Sequence, residues 1–149
     1  MLMKGSCKMT MIARIDVQIM TGNRPSAGAE GAVYLGIGGR EFRLATAADD
    51  FAQNSRRIFV LGEEANLLNA ADNDPRAPYP LRTEELPNFP VYIRFAPKDQ
   101  DDRWNLEAVT VSVNPERGAA ERDYDALHGA EHLWLGSSSG LYCYLHGGV

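Results

Sequence analysis

The chain has 149 residues, 44% apolar and 23% charged, a composition that supports a folded core and argues against a disordered chain. Twenty acidic residues against fifteen basic ones leave a net charge of -5, and no basic run is longer than Arg56-Arg57. Phosphate recognition needs a clustered basic face, so a nucleic-acid partner is excluded and simple adhesion to anionic lipid is disfavoured.

The predicted elements begin after a polar stretch, Met1 to Thr10, which lacks the apolar core of a secretory signal. Residues 1–11 are expected to form a flexible N-terminal tail and residues 12–146 a single domain. Ile12 to Met20 alternates Ile15, Val17 and Ile19 with polar residues, the period of a half-buried strand. A Gly/Pro/Asn loop follows, and alternation resumes with Val33, Leu35 and Ile37 in the strand Gly31 to Gly38. The Gly38-Gly39 turn leads into Arg40 to Leu44, and Arg56 to Leu61 is the fourth strand. Glu63 to Ala71 is expected to make two helical turns, and Thr83-Glu84-Glu85-Leu86 a capped turn stopped by Pro87. The stretch Asp72 to Pro90, which contains that turn, carries five prolines and reads as a long connection between sheet edges. Val91 to Phe95, Leu106 to Val113, Leu133 to Leu135 and Leu141 to Leu145 complete about eight strands. The pattern is that of an all-β, antiparallel β-sandwich.

Two cysteines, Cys7 and Cys143, suit a reducing compartment better than a disulfide framework, and Cys143 lies in an apolar run as a small core residue. No apolar run approaches the roughly 20 residues of a transmembrane segment, and a cytoplasmic location is expected. Several motifs fail on their spacing. Asp72-Asn73-Asp74 and Asp99-Gln100-Asp101-Asp102 lack the Gly and Glu that an EF-hand loop requires, and read as Asx turns. Gly136-Ser137-Ser138-Ser139-Gly140 has no acid after it and a strand rather than a helix, so it reads as a hairpin loop, not a nucleophile elbow. His128, His132 and His146 read as exposed loop residues rather than zinc ligands.

Four segments, in order, resemble the PLAT (LH2) domain family: Val17 to Gly22 with Ala27 to Leu35, Asp49-Asp50-Phe51 with Asn54-Ser55, Trp104-Asn105-Leu106-Glu107-Ala108-Val109-Thr110-Val111, and Leu133-Trp134-Leu135. The resemblance spans roughly Ile12 to Leu145. It implies a sandwich of two four-stranded sheets that serves as a non-enzymatic module docking to a protein or membrane surface through loops at one end. It also implies calcium as a cofactor in some members, with Gly28, Glu30, Asp49, Asp50 and Asn54 as the residues that would gather around it. Ala29 and Glu30 stand where the family usually has Thr and Asp, and the connection from Gly62 to Asn88 is longer than usual.

Aromatic and apolar residues give a second candidate surface: Tyr79, Leu81 and Phe89 in the Pro-rich connection, and Trp134. Trp104 reads as a core anchor. The sign of the net charge favours a protein partner over anionic lipid unless a cation bridges the carboxylates. Two alternatives stand beside docking. One is a carbohydrate-binding sandwich in which Tyr92, Trp134, Tyr142 or Tyr144 stack on sugar rings; the other is a small hydrolase using an Asp/His pair such as Asp125 and His128.

Overall fold

The computed structural model describes residues 10–129 and 132–148. Ten strands build two antiparallel sheets: β1 (Arg14–Thr21), β2 (Ala32–Ile37), β3 (Arg40–Arg43), β4 (Arg56–Gly62), β5 (Tyr92–Ala96), β6 (Arg103–Val113), β7 (Arg122–Ala126), β8 (Leu133–Gly136), β9 (Tyr142–Tyr144) and β10 (His146–Gly147). The smaller sheet runs β3-β2-β5-β9 and the larger β10-β7-β6-β1-β4, with β8 also on β6. Strands of period two bury one face each, so the two sheets close over a common core. Ile15, Val17 and Ile19 of β1 and Val109, Val111 and Val113 of β6 face Val33, Leu35 and Ile37 of β2 and Ile93 and Phe95 of β5, all at most 1% exposed. Trp104 lies fully buried among Phe51 and Phe95, and its indole N–H donates to Thr21 Oγ1 at 2.9 Å. That bond satisfies the one polar atom of the largest core side chain.

The larger sheet has six strands where four are expected. β6 is eleven residues long, and two strands share its one edge: β8 pairs with Arg103 to Leu106, β7 with Val109 to Val113. The two helical turns expected over Glu63 to Ala71 do not form; only a 3-10 turn, Ala70–Asn73, lies nearby. Glu64 and Asn69, left-handed at φ 58 and 55, break the helical run, and Asn66 between them is tied to β4. Its side chain accepts from Val60 N–H at 2.8 Å and donates to Ile58 C=O at 2.8 Å, occupying groups on β4 that a further strand would use. A second 3-10 turn, Thr83–Asn88, stands where the capped turn is expected.

Cys7 and most of the expected tail lie outside the described residues, whereas Cys143 is buried with a free thiol whose pKa burial pushes up. Among the described residues, no helix is long and apolar enough to cross a membrane.

Candidate functional site

The loops that follow β1, β3 and β5 meet at one end of the sandwich, and buried carboxylates tie them together. Asp102, 6% exposed, accepts the backbone N–H groups of Glu30 at 3.1 Å, Gly31 at 2.8 Å and Lys98 at 2.8 Å. One side chain thereby fixes the β1–β2 loop to the β5–β6 loop. The approach is close: a Cβ on Gly31 would lie 2.0 Å from Ala96 O, so only glycine fits there. Asp50, 7% exposed, accepts from Thr46 N–H at 2.7 Å, from the Thr46 hydroxyl, and from Arg57 Nε at 3.2 Å. Backbone bonds from Asn54 N–H to Gly22 O and from Ala29 N–H to Phe51 O complete the lacing. Exposed carboxylates remain at Glu30, Asp49, Asp99 and Asp101. Glu30 and Asp49 border a cleft of about 180 Å³ whose floor includes Val33, Leu44 and Phe51.

The second feature is the outer face of the smaller sheet. Register places Glu41, Gly36, Tyr92 and Tyr144 in one row across its four strands, and Arg43, Tyr34, Arg94 and Tyr142 in the next. The Tyr92 ring lies across Gly36, where a Cβ would meet it at 2.0 Å, and its hydroxyl donates to Glu41 Oε2 at 2.7 Å. Arg94 grips the same carboxylate with two bonds, 2.8 and 2.9 Å, while its guanidinium sits 4.3 Å from the centre of the Tyr34 ring. The Arg94 bond holds the Glu41 carboxyl below its ordinary 4.5, and the carboxylate in turn raises the Arg94 guanidinium. Desolvation, then the bond to Glu41, pushes the Tyr92 hydroxyl up to about 12. Tyr142 and Tyr144 are 45% and 55% exposed, with ring planes 9° apart and centroids at 5.9 Å. Tyr92 meets both edge-on, at 5.3 and 6.0 Å.

No protein-family model matches the sequence, and no curated protein matches it. Solved structures do. Alpha toxin from Clostridium absonum matches with a TM-score of 0.61 and 20% identity over 93% of this chain and 32% of the toxin chain, in the toxin's PLAT/C2-like domain. A lipoxygenase (LOX) variant matches with a TM-score of 0.52 and 11% identity over 90% of this chain and 16% of that one. LOX in complex with arachidonate gives 0.51 and 11% over the same shares. This chain has a PLAT/LH2-like fold. It spans about a third or less of the length of those chains.

Within the PLAT/LH2-like sandwich, the residues suggested for calcium divide. Gly28, Glu30, Asp49, Asp50 and Asn54 all belong to the laced end, but Asp50 is not the solvated turn residue that the doublet Asp49-Asp50 suggests; it faces inward on Thr46 and Arg57. Glu30 pairs with Lys98 at 3.5 Å, and Asn54 occupies a left-handed turn at φ 60. Among the described residues, no three His, Cys, Asp or Glu side chains come together as metal ligands. The suggested docking residues also separate. Tyr79 and Phe89 are exposed, at 79% and 44%. Leu81 is buried, because the connection folds back over the β2–β3 turn: Ile12 N–H donates to Leu81 O, and the Leu81 methyls cover Gly38. Trp134 is half-buried rather than open, capped by the Arg103 guanidinium 4.9 Å from its ring, and sits at the laced end, away from the β2–β3 turn that Leu81 covers. Asp125 and His128 do approach, at 3.5 Å, but His128 is exposed and Asp125 half-buried, at the end of β7.

Asp99 and Asp74 make the Asx turns expected of them, to Asp101 N–H and Arg76 N–H. Asp102, by contrast, is the residue that sequence reasoning missed as a clamp. Its only signal is adjacency to the Trp104 motif.

Proposed function

We propose that this chain is a non-catalytic docking module that engages a protein surface through the laced loop end of its sandwich. The observation that carries the reading is the division of labour among carboxylates there. Asp50 and Asp102 are spent internally on holding the loops, while Glu30, Asp49, Asp99 and Asp101 point their charge at solvent. Exposed Arg24, Lys98 and Arg103 stand among these acids, so the tied loops present both signs of charge and favour a protein partner whose charged surface complements them. A rim of mixed sign gives anionic headgroups no net attraction unless a divalent cation adds positive charge, and calcium is the cation proposed for that route. Support also comes from the fold, which is shared with domains of much larger chains.

Vesicle flotation tests the charge argument. Vesicles of phosphatidylcholine alone, and with phosphatidylserine, are incubated with the protein in calcium or in a chelator. The expected result is no flotation in chelator with either composition. Calcium-independent flotation with the anionic vesicles would overturn the preference for a protein surface. Flotation only in calcium would move the partner from protein to lipid while keeping the loop end as the site.

A further inference from the structure

We propose that the outer face of the β3-β2-β5-β9 sheet is a carbohydrate-binding platform, with Tyr142 and Tyr144 as the stacking surface. The site is separate from the loop end, so it stands or falls independently of the docking reading.

The outward parity of a solvated antiparallel sheet normally carries short polar or charged residues, since nothing packs on it. Here the outward positions of β2, β5 and β9 hold Tyr34, Tyr92, Tyr142 and Tyr144. Tyr142 and Tyr144, both about half exposed, are held with ring planes 9° apart. Tyr92 buttresses both by edge contacts and is itself locked to Glu41, so the pair loses little freedom when a ligand lands.

Charge decides the ligand class. The only carboxylate in the two rows, Glu41, is taken up by Arg94 and the Tyr92 hydroxyl, which removes the attraction a cationic ligand needs. Arg94 is neutralised by the same pair, which leaves exposed Arg43, at the far end of its row, as a single cation where a phosphate or sulfate polymer needs a cluster. What remains is amphipathic, with its one unneutralised charge at the β3 edge: tyrosine rings for apolar C–H groups, edged by phenolic hydroxyls and by guanidinium and carboxylate atoms with spare hydrogen-bonding capacity. A neutral pyranose has the matching character, a C–H face with hydroxyls around its rim. The open sheet has no walls to enclose a small molecule, so it suits a chain of sugar units lying across the two rows rather than a single buried ring.

Affinity electrophoresis tests this with the whole chain. Native gels are cast with one of four neutral polysaccharides (hydroxyethylcellulose, xylan, glucomannan, dextran) or with polygalacturonate as the acidic control. Mobility is compared with a non-binding protein. Retardation is expected in at least one neutral gel, and the Tyr142→Ala/Tyr144→Ala double variant should weaken it about tenfold or more. Gln18→Ala, on the outer face of the larger sheet, should leave it unchanged. Because both platform residues are exposed, the double variant is expected to fold, and its thermal unfolding and circular dichroism verify this. If it does not fold, Tyr144→Ala alone carries the comparison. No retardation in any neutral gel, retardation confined to polygalacturonate, or undiminished retardation in the folded variant overturns the proposal. So does concentration-dependent dimerisation by light scattering that the double variant abolishes, which would make a second copy of the chain the occupant.

Discussion

The outer faces of the two sheets follow the same period of two and reach opposite compositions. On the larger sheet the outward row runs Asp16, Ser112 and Asp123 across β1, β6 and β7, and the next Gln18, Thr110 and Asp125, with Val60 and Ile58 continuing them at the β4 edge. On the smaller sheet the equivalent rows contain four tyrosines, two arginines and one glutamate. Short polar side chains are what a solvated sheet face requires and no more. Tyrosines there expose large rings that folding does not demand, and Tyr and Arg are the residues enriched where recognition energy concentrates. The fold alone therefore does not explain the smaller sheet, and the comparison separates what builds the sandwich from what it presents.

The largest effect should fall on both faces together. Trp104→Ala removes the fully buried indole beneath Phe51 and Phe95 and leaves Thr21 Oγ1 without its donor. A loss of about 3–5 kcal/mol is expected, corresponding to a fall in Tm of roughly 10 °C or more. Urea unfolding measures it, and a loss below about 1 kcal/mol would mean the two sheets do not depend on a shared core at this point.

A smaller, one-sided effect is expected from Asp102→Asn. The amide keeps one acceptor for three backbone N–H groups, so about 2 kcal/mol should be lost. Amide exchange at Glu30, Gly31 and Lys98 should quicken while the β5 amides between Tyr92 and Ala96 keep their protection. Equal acceleration on β5 would show that the loop end and the tyrosine face are one cooperative unit.

These two residues also mark how far the sequence could be read. Alternation at Ile15, Val17, Ile19 and at Val109, Val111, Val113 was enough for the sandwich, because each run contains its own period. β7 escaped notice because Arg122-Asp-Tyr-Asp-Ala126 shows only Tyr124 and Ala126 as inward residues between acids, too few to reveal a face. Asp50 and Asp102 look like surface turn acids in the chain; only tertiary closure places several donors around each carboxylate. The tyrosine platform was half legible. Tyr92, Tyr142 and Tyr144 were identifiable as outward-facing aromatics, but Tyr34, Glu41 and Arg94 join them only through the pairing β3-β2-β5-β9, which no local pattern encodes.

Within the smaller sheet, acid should act through Glu41. Its folded-state pKa lies below the unfolded value near 4.5, so its contribution to stability is present above that value and lost as pH falls through the folded one. With a third of the side chain exposed, that contribution should stay below about 1 kcal/mol. Unfolding free energies measured between pH 5 and pH 2 should fall less steeply in Glu41→Gln than in the parent. Tyr92 gives the alkaline counterpart: its pKa of about 12 exceeds the unfolded value of 10, so stability is lost as pH rises between the two. The Tyr142→Ala/Tyr144→Ala variant uncovers the Tyr92 ring and should lower that pKa, read from tyrosinate absorbance. An unchanged titration would mean that the bond to Glu41, not cover by the neighbouring rings, holds the proton.

The smallest effect distinguishes presentation from construction at the loop end. Lys98 and Glu30 form an ion pair at 3.5 Å, with side chains 66% and 69% exposed. Such a pair is screened by solvent and loses side-chain entropy when it forms, so Lys98→Ala should change stability by no more than about 0.5 kcal/mol. The Lys98 backbone N–H still bonds to Asp102 in the variant, which leaves the clamp intact. What changes is the field: Glu30 is released, and the rim loses one positive charge. Association with a basic probe such as polylysine, followed at low salt, should therefore quicken although the unfolding midpoint stays fixed. A shifted midpoint with unchanged association would reverse the assignment and make this exposed pair part of the scaffold.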